Sequence, residues 1–271
     1  LQQGIVQPDS VIDTHPFYLD GHRIRDVGFY PELSLTGILQ KSSDTGVSHL
    51  SLAMPVQKLL DTYKSFGFGD PTGLGLTGES SGLMPQRRYW SDLDRATFAF
   101  GYGLMVTPLQ LAHVYATIGS FGIYRPLSIT RIDPPVIGTR VMPEALVHQV
   151  EHMMESVALP GGGGTKAAVR DYRVAVKTGT AKKIGDDGKY VDKYVAYTAG
   201  VAPASDPKFA LVVVINNPQN GAYYGGAVSA PVFSQIMGDV LRLENVKPDG
   251  MPADSDHLLV MHGSNVSSPS L

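Results

Sequence analysis

The chain has no cysteine among its 271 residues. Disulfide frameworks, thiol catalysis and thiolate metal sites are therefore excluded. A surplus of positive charge is also lacking: 22 Lys and Arg against 25 Asp and Glu leave a formal net charge of −3. That balance makes no electrostatic case for a nucleic acid partner or an anionic membrane surface. Long apolar runs are missing too. The longest, Phe209 to Ile215, falls far short of the roughly 20 residues that a membrane-spanning helix needs. No signal-peptide pattern and no internal repeat is visible. The opening Leu1-Gln2-Gln3-Gly4 reads as the end of a helix cut in half, so the sequence is expected to be a piece of a longer chain.

What is present is ordinary globular material, 43% hydrophobic and 17% charged, enough for one large domain or two small ones. Residues 1–45 mix short extended pieces with turns, and Ser34 to Lys41 reads as a helix leading to Ser42-Ser43-Asp44. Pro55 to Phe66 is a helix with Pro in its first turn and Gly67 as its stop. Residues 67–92 are rich in Gly and Pro and read as a long ordered loop. Thr107 as N-cap and Pro108 at the first helical position start another helix, running to about Ser120. A further helix spans Pro143 to Val157. Three strand candidates follow, Tyr172–Thr178, Tyr194–Val201 and Phe209–Asn216, and their short connections favour antiparallel pairing. A closing helix covers Pro231 to Leu243. Residues 1–246 are expected to be one α+β unit, a sheet covered by helices, and 247–271 a disordered tail.

Several motifs compete. Gly73-Leu74-Gly75-Leu76-Thr77-Gly78 has dinucleotide-binding spacing but no strand before it or helix after it. Gly78-Glu79-Ser80-Ser81-Gly82 has nucleophile-elbow spacing, but Pro85 stands where the elbow's helix should run. His148-Gln149-Val150-Glu151-His152 has inverted zinc-protease spacing on a helix. With the apolar stripe drawn through Leu146, Val150, Met153 and Val157, both histidines fall on a solvated face, so no metal is expected. Gly161–Gly164 lacks the ending of a phosphate loop and reads as a turn or lid.

The most informative segment is Val174 to Thr180, an alternating apolar run ending in Lys-Thr-Gly-Thr. Lys177 supplies a fixed cation, and the Thr178 and Thr180 hydroxyls can donate to the same anion. Gly179 removes a side chain, letting a ligand lie against the backbone. Ser42-Ser43-Asp44 can be joined to Lys177 as a hydroxyl beside a lysine, suited to passing a proton. Taken alone, the same three residues read as a helix N-cap.

In order along the chain stand Ser42-Ser43-Asp44, Phe100 to Gln110, Lys177-Thr178-Gly179-Thr180-Ala181 and Tyr223-Tyr224-Gly225-Gly226. From Leu1 to about Arg242 the chain resembles the transpeptidase domain of class B penicillin-binding proteins, most of all its division-specific (septal) members in Gram-negative bacteria. The resemblance implies a β-lactamase/transpeptidase-like fold with an antiparallel sheet of about five strands and helices on both faces. It implies a serine D,D-transpeptidase that cross-links peptidoglycan stem peptides through an acyl-enzyme, needs no cofactor and is acylated by β-lactams. Partners in the division machinery, an inner-membrane anchor and a periplasmic location come with it. Ser42 would relay the proton to the leaving amine; Lys177, Thr178, Gly179 and Thr180 would hold the terminal carboxylate. The Thr180 N–H would be one oxyanion donor, a contact typically worth ~3 kcal/mol.

The sequence departs from the family pattern twice. The family's nucleophile lies in a Ser-x-x-Lys that precedes these motifs, and the one such pattern here, Ser205-Asp206-Pro207-Lys208, follows them in a turn. The nucleophile is therefore expected upstream of Leu1. Asp44 stands where the family has Asn. An ionised carboxylate cannot donate a hydrogen bond, and it would raise the pKa of nearby lysines. A protonated one mimics Asn, which implies a preference for acidic conditions. Against this, lysine neighbours are expected to hold the carboxyl below its ~3.9 reference. A serine β-lactamase and a β-lactam sensor share the motifs. Glu79 is a poor match to the base the former needs.

Overall fold

The alternation from Val174 onward builds the central sheet of the computed structural model, which describes residues 1–219 and 221–250. Three antiparallel strands, β7 (Ala175–Ile184), β8 (Tyr190–Ala202) and β9 (Phe209–Asn216), lie in that order, leaving β7 as an edge. On one face Val174, Val176, Ala202 and Val213 pack against Phe233, Met237 and Leu241 of α8 (Ala230–Leu243). On the other, Ala175 and Val201 meet Tyr115 of α5 (Pro108–Gly119) and Val150 and Met154 of α6 (Glu144–Glu155). Both faces carry apolar cover because successive strand residues point to opposite sides, and the buried positions named here are small or branched.

Among the described residues the sheet has three strands rather than about five. The remaining strands are two or three residues long and pair only among themselves: β1 (Val11–Asp13) with β4 (Glu32–Ser34), β2 (Phe17–Leu19) with β3 (His22–Ile24), and β5 (Ile123–Tyr124) with β6 (Thr139–Arg140). Pieces so short bury too little to extend a central sheet.

Between β4 and α5 run α1 (Leu35–Lys41), α2 (Asp44–Leu52), α3 (Val56–Ser65) and α4 (Asp92–Ala99); α7 (Gly225–Val228) precedes α8. The expected helices at α1, α3, α5, α6 and α8 appear within two residues of their anticipated ends. Thr107 and Gln110 form a reciprocal capping box at α5, which satisfies two otherwise orphaned N–H groups. Three of the described helices had no counterpart in the sequence reading, α7 being a single turn of small residues ahead of α8. α2 is mostly small and polar and weakly amphipathic, and α4 is a two-turn helix set by the Ser91–Asp94 capping box.

The tail reading needs correction for its first residues. Asp249 accepts from the Arg173 and Ser205 N–H groups at 2.7 and 3.1 Å, and the Gly250 N–H donates to the Asp171 carbonyl at 3.0 Å. Residues 249 and 250 are thus stitched to the body, through the Asp249 carboxylate and the Gly250 N–H. The rest of the expected tail, 251–271, lies outside the described residues.

Candidate active site

The turn between α1 and α2 carries two consecutive serines with different tasks. Ser43 is the N-cap of α2, accepting from the Gly46 N–H at 3.0 Å. Ser42 closes α1 in the left-handed region at φ 56°, ψ 55°, with the Ser43 N–H donating to Ile38 O at 2.9 Å. A non-glycine residue there costs ~1–2 kcal/mol. The conformation throws the Ser42 side chain outward, where its Oγ accepts from Lys177 Nζ at 2.8 Å across 135 positions of sequence. The cap reading and the proton-relay reading of Ser42-Ser43-Asp44 thus fall to adjacent residues.

Lys177 lies on the edge strand β7 and also donates to the Thr178 carbonyl at 2.8 Å. Burial pulls its pKa down to about 8, with Asp44 acting against the fall. Asp44, half-buried at the start of α2, goes the other way. Desolvation and the Asp26 carboxylate raise it to about 6, more than Lys177 lowers it. The expectation that lysine neighbours would depress this carboxyl is corrected by that result: burial and a second carboxylate outweigh the cation.

Along β7, Lys177 and Gly179 share one face, Thr178 and Thr180 the other. Thr180 Oγ1 accepts from the Gly225 N–H at 3.0 Å, which seats the start of α7 against the strand and leaves the hydroxyl proton free to donate. A Cβ on Gly225 would stand 2.5 Å from the Gly179 carbonyl, and one on Gly226 would stand 2.1 Å from the Gly163 carbonyl, so both glycines are required by close approach. Thr178 faces the glycine loop 161–164. That loop is anchored on α1, the helix that leads into the Ser42 turn, with Lys41 Nζ donating to Gly161 O at 2.7 Å and the Gly163 N–H to Gln40 O at 3.2 Å.

Gly179 has an additional reason for its missing side chain. A Cβ would lie 2.1 Å from Cζ of Tyr197, its cross-strand partner on β8, so the protein itself fills that space. The structure thus brings Ser42, Asp44, Lys177, Thr178, Gly179 and Thr180 to one edge of the sheet. It also places Asp26, Tyr102 and Tyr197 there, which sequence reading missed. Tyr102 lies in the Phe100–Gln110 segment, whereas Asp26 and Tyr197 sit in no motif; all three reach the site through long-range folding.

The competing motifs stay apart. Ser205 and Lys208 lie in the β8–β9 turn, and Lys208 pairs with Asp206 at 2.5 Å. His148 stacks on Phe121 with ring centroids 4.3 Å apart, and exposed His152 faces Glu155. Between them Glu151 turns inward, 2% exposed, with neither carboxyl oxygen hydrogen-bonded. No group of three His, Asp or Glu with metal-holding geometry occurs among the described residues.

A sequence model of the penicillin-binding protein transpeptidase domain matches residues 1–238. The chain is 64% identical over all 271 residues to the peptidoglycan D,D-transpeptidase FtsI of Escherichia coli K12, covering 46% of that protein. It is 37% identical over 249 residues, 92% of this chain, to the probable peptidoglycan D,D-transpeptidase PenA of Neisseria gonorrhoeae, covering 43% of that protein. The chain therefore spans about half the length of the curated relatives it matches. Among solved structures, the apo TP domain of Burkholderia pseudomallei penicillin-binding protein 3 superposes with a TM-score of 0.86 at 36% identity, over 91% of this chain and 76% of that one. With its edge-strand Lys-Thr-Gly facing the serine turn, and with that span of sequence and fold in common, the chain belongs to the penicillin-binding protein transpeptidase domain family.

Proposed function

We propose that this chain forms the carboxylate-holding and proton-relay part of a peptidoglycan D,D-transpeptidase of septal wall synthesis. The enzyme cross-links stem peptides through a serine acyl-enzyme, and β-lactams acylate the same serine. The contact of Lys177 Nζ with Ser42 Oγ is the observation that carries this reading. A lysine cation beside a hydroxyl can hold a substrate carboxylate while the hydroxyl passes a proton to the departing D-Ala amine. The Thr178 and Thr180 hydroxyls complete the carboxylate site, and the Thr180 N–H serves as an oxyanion donor. Asp44, when protonated, donates to the substrate amide carbonyl as Asn would.

In this reading the attacking serine belongs to a Ser-x-x-Lys helix outside the present sequence. An apolar cavity of about 390 Å³, lined by Leu1, Leu35, Ile38, Leu39, Val147 and Met153, offers such a helix a seat. Slow deacylation is expected, because Glu79 is engaged within its own loop, accepting from the Thr72 N–H at 2.7 Å and from the Thr72 hydroxyl. No described helix is long and apolar enough to cross a membrane. An inner-membrane anchor, a periplasmic site of action and contacts with other division proteins are part of the same proposal, and all concern the longer protein.

Intact mass of the full-length protein after addition of a penicillin tests the reading. A one-to-one adduct persisting for hours is expected. Rapid loss of the adduct with turnover would favour a β-lactamase, and absence of any adduct would overturn the assignment.

A further inference from the structure

Asp26 lies in no motif, yet it grips the turn that presents Ser42. It follows β3 in a loop and approaches the start of α2 from outside. Its Oδ2 accepts from Ser43 Oγ at 2.6 Å and its Oδ1 from the Thr45 N–H at 2.9 Å. The Ser43 hydroxyl is thereby committed as donor to Asp26 and as acceptor from the Gly46 N–H. A chain of buried bonds extends the grip. Thr45 Oγ1 donates to Thr14 O at 3.2 Å, and Thr14 Oγ1 donates to Tyr30 O at 2.7 Å. The segment holding β1 to β4 is in this way fastened to Thr45, two residues after the serine pair.

Part of this is ordinary capping, with Ser43 satisfying the Gly46 N–H and Asp26 the Thr45 N–H, but the bond from the Ser43 hydroxyl to Asp26 goes beyond it. The extra grip falls beside Ser42, whose left-handed backbone is uphill for a residue with a side chain. Such a conformation persists only where the surroundings over-determine it. We propose that Asp26 is a positioning residue of the active site: its carboxylate locks the α1–α2 turn so that Ser42 keeps its hydroxyl on Lys177. The inference rests on the transpeptidase reading for its catalytic consequence, but its geometric content stands apart from it. Three charged or titratable groups face Asp44 at this turn. Asp26 comes from the β3 loop, Lys177 from β7 and Tyr102 from the segment before α5, so removing the Asp26 charge should also alter how Asp44 takes a proton.

The test compares Asp26→Ala and Asp26→Asn with the parent in the full-length protein. Fluorescent-penicillin acylation is read as a rate per labelled site from about pH 5 to about pH 9. Asp26→Ala is expected to slow acylation per labelled site by about tenfold or more, as misplacement of a reacting group does. Asp26→Asn keeps the shape and one acceptor. It should restore the rate to within about threefold and shift the acid-side midpoint to lower pH, because a negative neighbour of Asp44 is gone. An Asp26→Ala protein that labels to a lower level, yet acylates at the parental rate per site with an unchanged midpoint, would reduce Asp26 to a fold-stabilising cap. A crystal structure of Asp26→Ala supplies the second readout. Ser42 still left-handed with Oγ on Lys177 Nζ would overturn the proposal, and a displaced Ser42 would support it. If the parent itself takes up no penicillin, the transpeptidase reading fails, and the crystal structure still decides the positioning claim.

Discussion

The ring of Tyr197 occupies the space that a side chain on Gly179 would need, with Cζ 2.1 Å from an ideal Cβ at residue 179. The two residues are direct cross-strand partners on β7 and β8, so neither can shift without breaking the ladder that also carries Lys177. Gly179→Ala should therefore destabilise the fold by about 2 kcal/mol, typical of overpacking against a rigid ring. Urea unfolding of the two proteins checks this; equal midpoints would show that Tyr197 swings aside freely.

Asp44 is raised to about 6 from an ordinary 3.8 by burial and by Asp26. The folded state therefore binds this proton more tightly than the unfolded state, and stability declines as pH rises through that window. Asp44→Asn should remove the decline and be the more stable protein at neutral pH. In acylation, the Asp44 protein should gain relative to Asp44→Asn as pH falls through about 6, where the carboxyl becomes a donor. Parallel pH–rate profiles for the two proteins would contradict this.

Lys177 is lowered to about 8 by burial, with Asp44 opposing. In the proposed function its cation holds the substrate carboxylate, so affinity for carboxylate-bearing ligands should weaken as pH rises through about 8. Removing the Asp44 charge takes away the group that holds Lys177 up. The alkaline limb of Asp44→Asn should accordingly lie at lower pH than that of the parent, as the pH dependence of KM would reveal. Stability responds in the opposite sense. Above pH 8 the folded state has shed a proton that the unfolded lysine keeps up to its usual 10.5, so this group's contribution to stability rises with pH across that interval.

Glu151 is buried with no hydrogen-bond partner on either oxygen, and burial followed by Glu155 raises it to about 7. Its proton favours the folded state, so stability should fall as pH climbs from its usual 4.5 through 7. Glu151→Leu should abolish that slope and stabilise the protein by about 1–2 kcal/mol at alkaline pH, since an apolar side chain replaces an unpaired buried charge. Denaturant melts on the acid and alkaline sides of neutrality measure both effects.

Much of this architecture could be read before folding was considered. Thr107-Pro108 with Gln110 three residues on starts a helix by local hydrogen bonding alone, and the β9 segment Phe209–Asn216 shows a strand by its β-branched run. The Lys177-Thr178-Gly179-Thr180 edge and the Ser42-Ser43-Asp44 turn could be singled out as candidate chemistry from their residue types, and the fold brings them together. The inward turn of Glu151 was not: the stripe through Leu146 and Val150 left it unplaced, and only packing against the sheet made it a core residue. Local propensity and periodicity depend on neighbours within a turn or two, so the sequence by itself determined the strongly capped or periodic helices, the three long strands and which side chains could react, but not the short strands, α2 or α4. Tertiary structure alone decided that Ser42 meets Lys177 across 135 positions, that Asp26 grips the turn that carries Ser42 and that burial shifts the pKa of Asp44 and Lys177. Those facts depend on long-range contacts and on solvent exclusion, and both come into being only when the chain closes on itself.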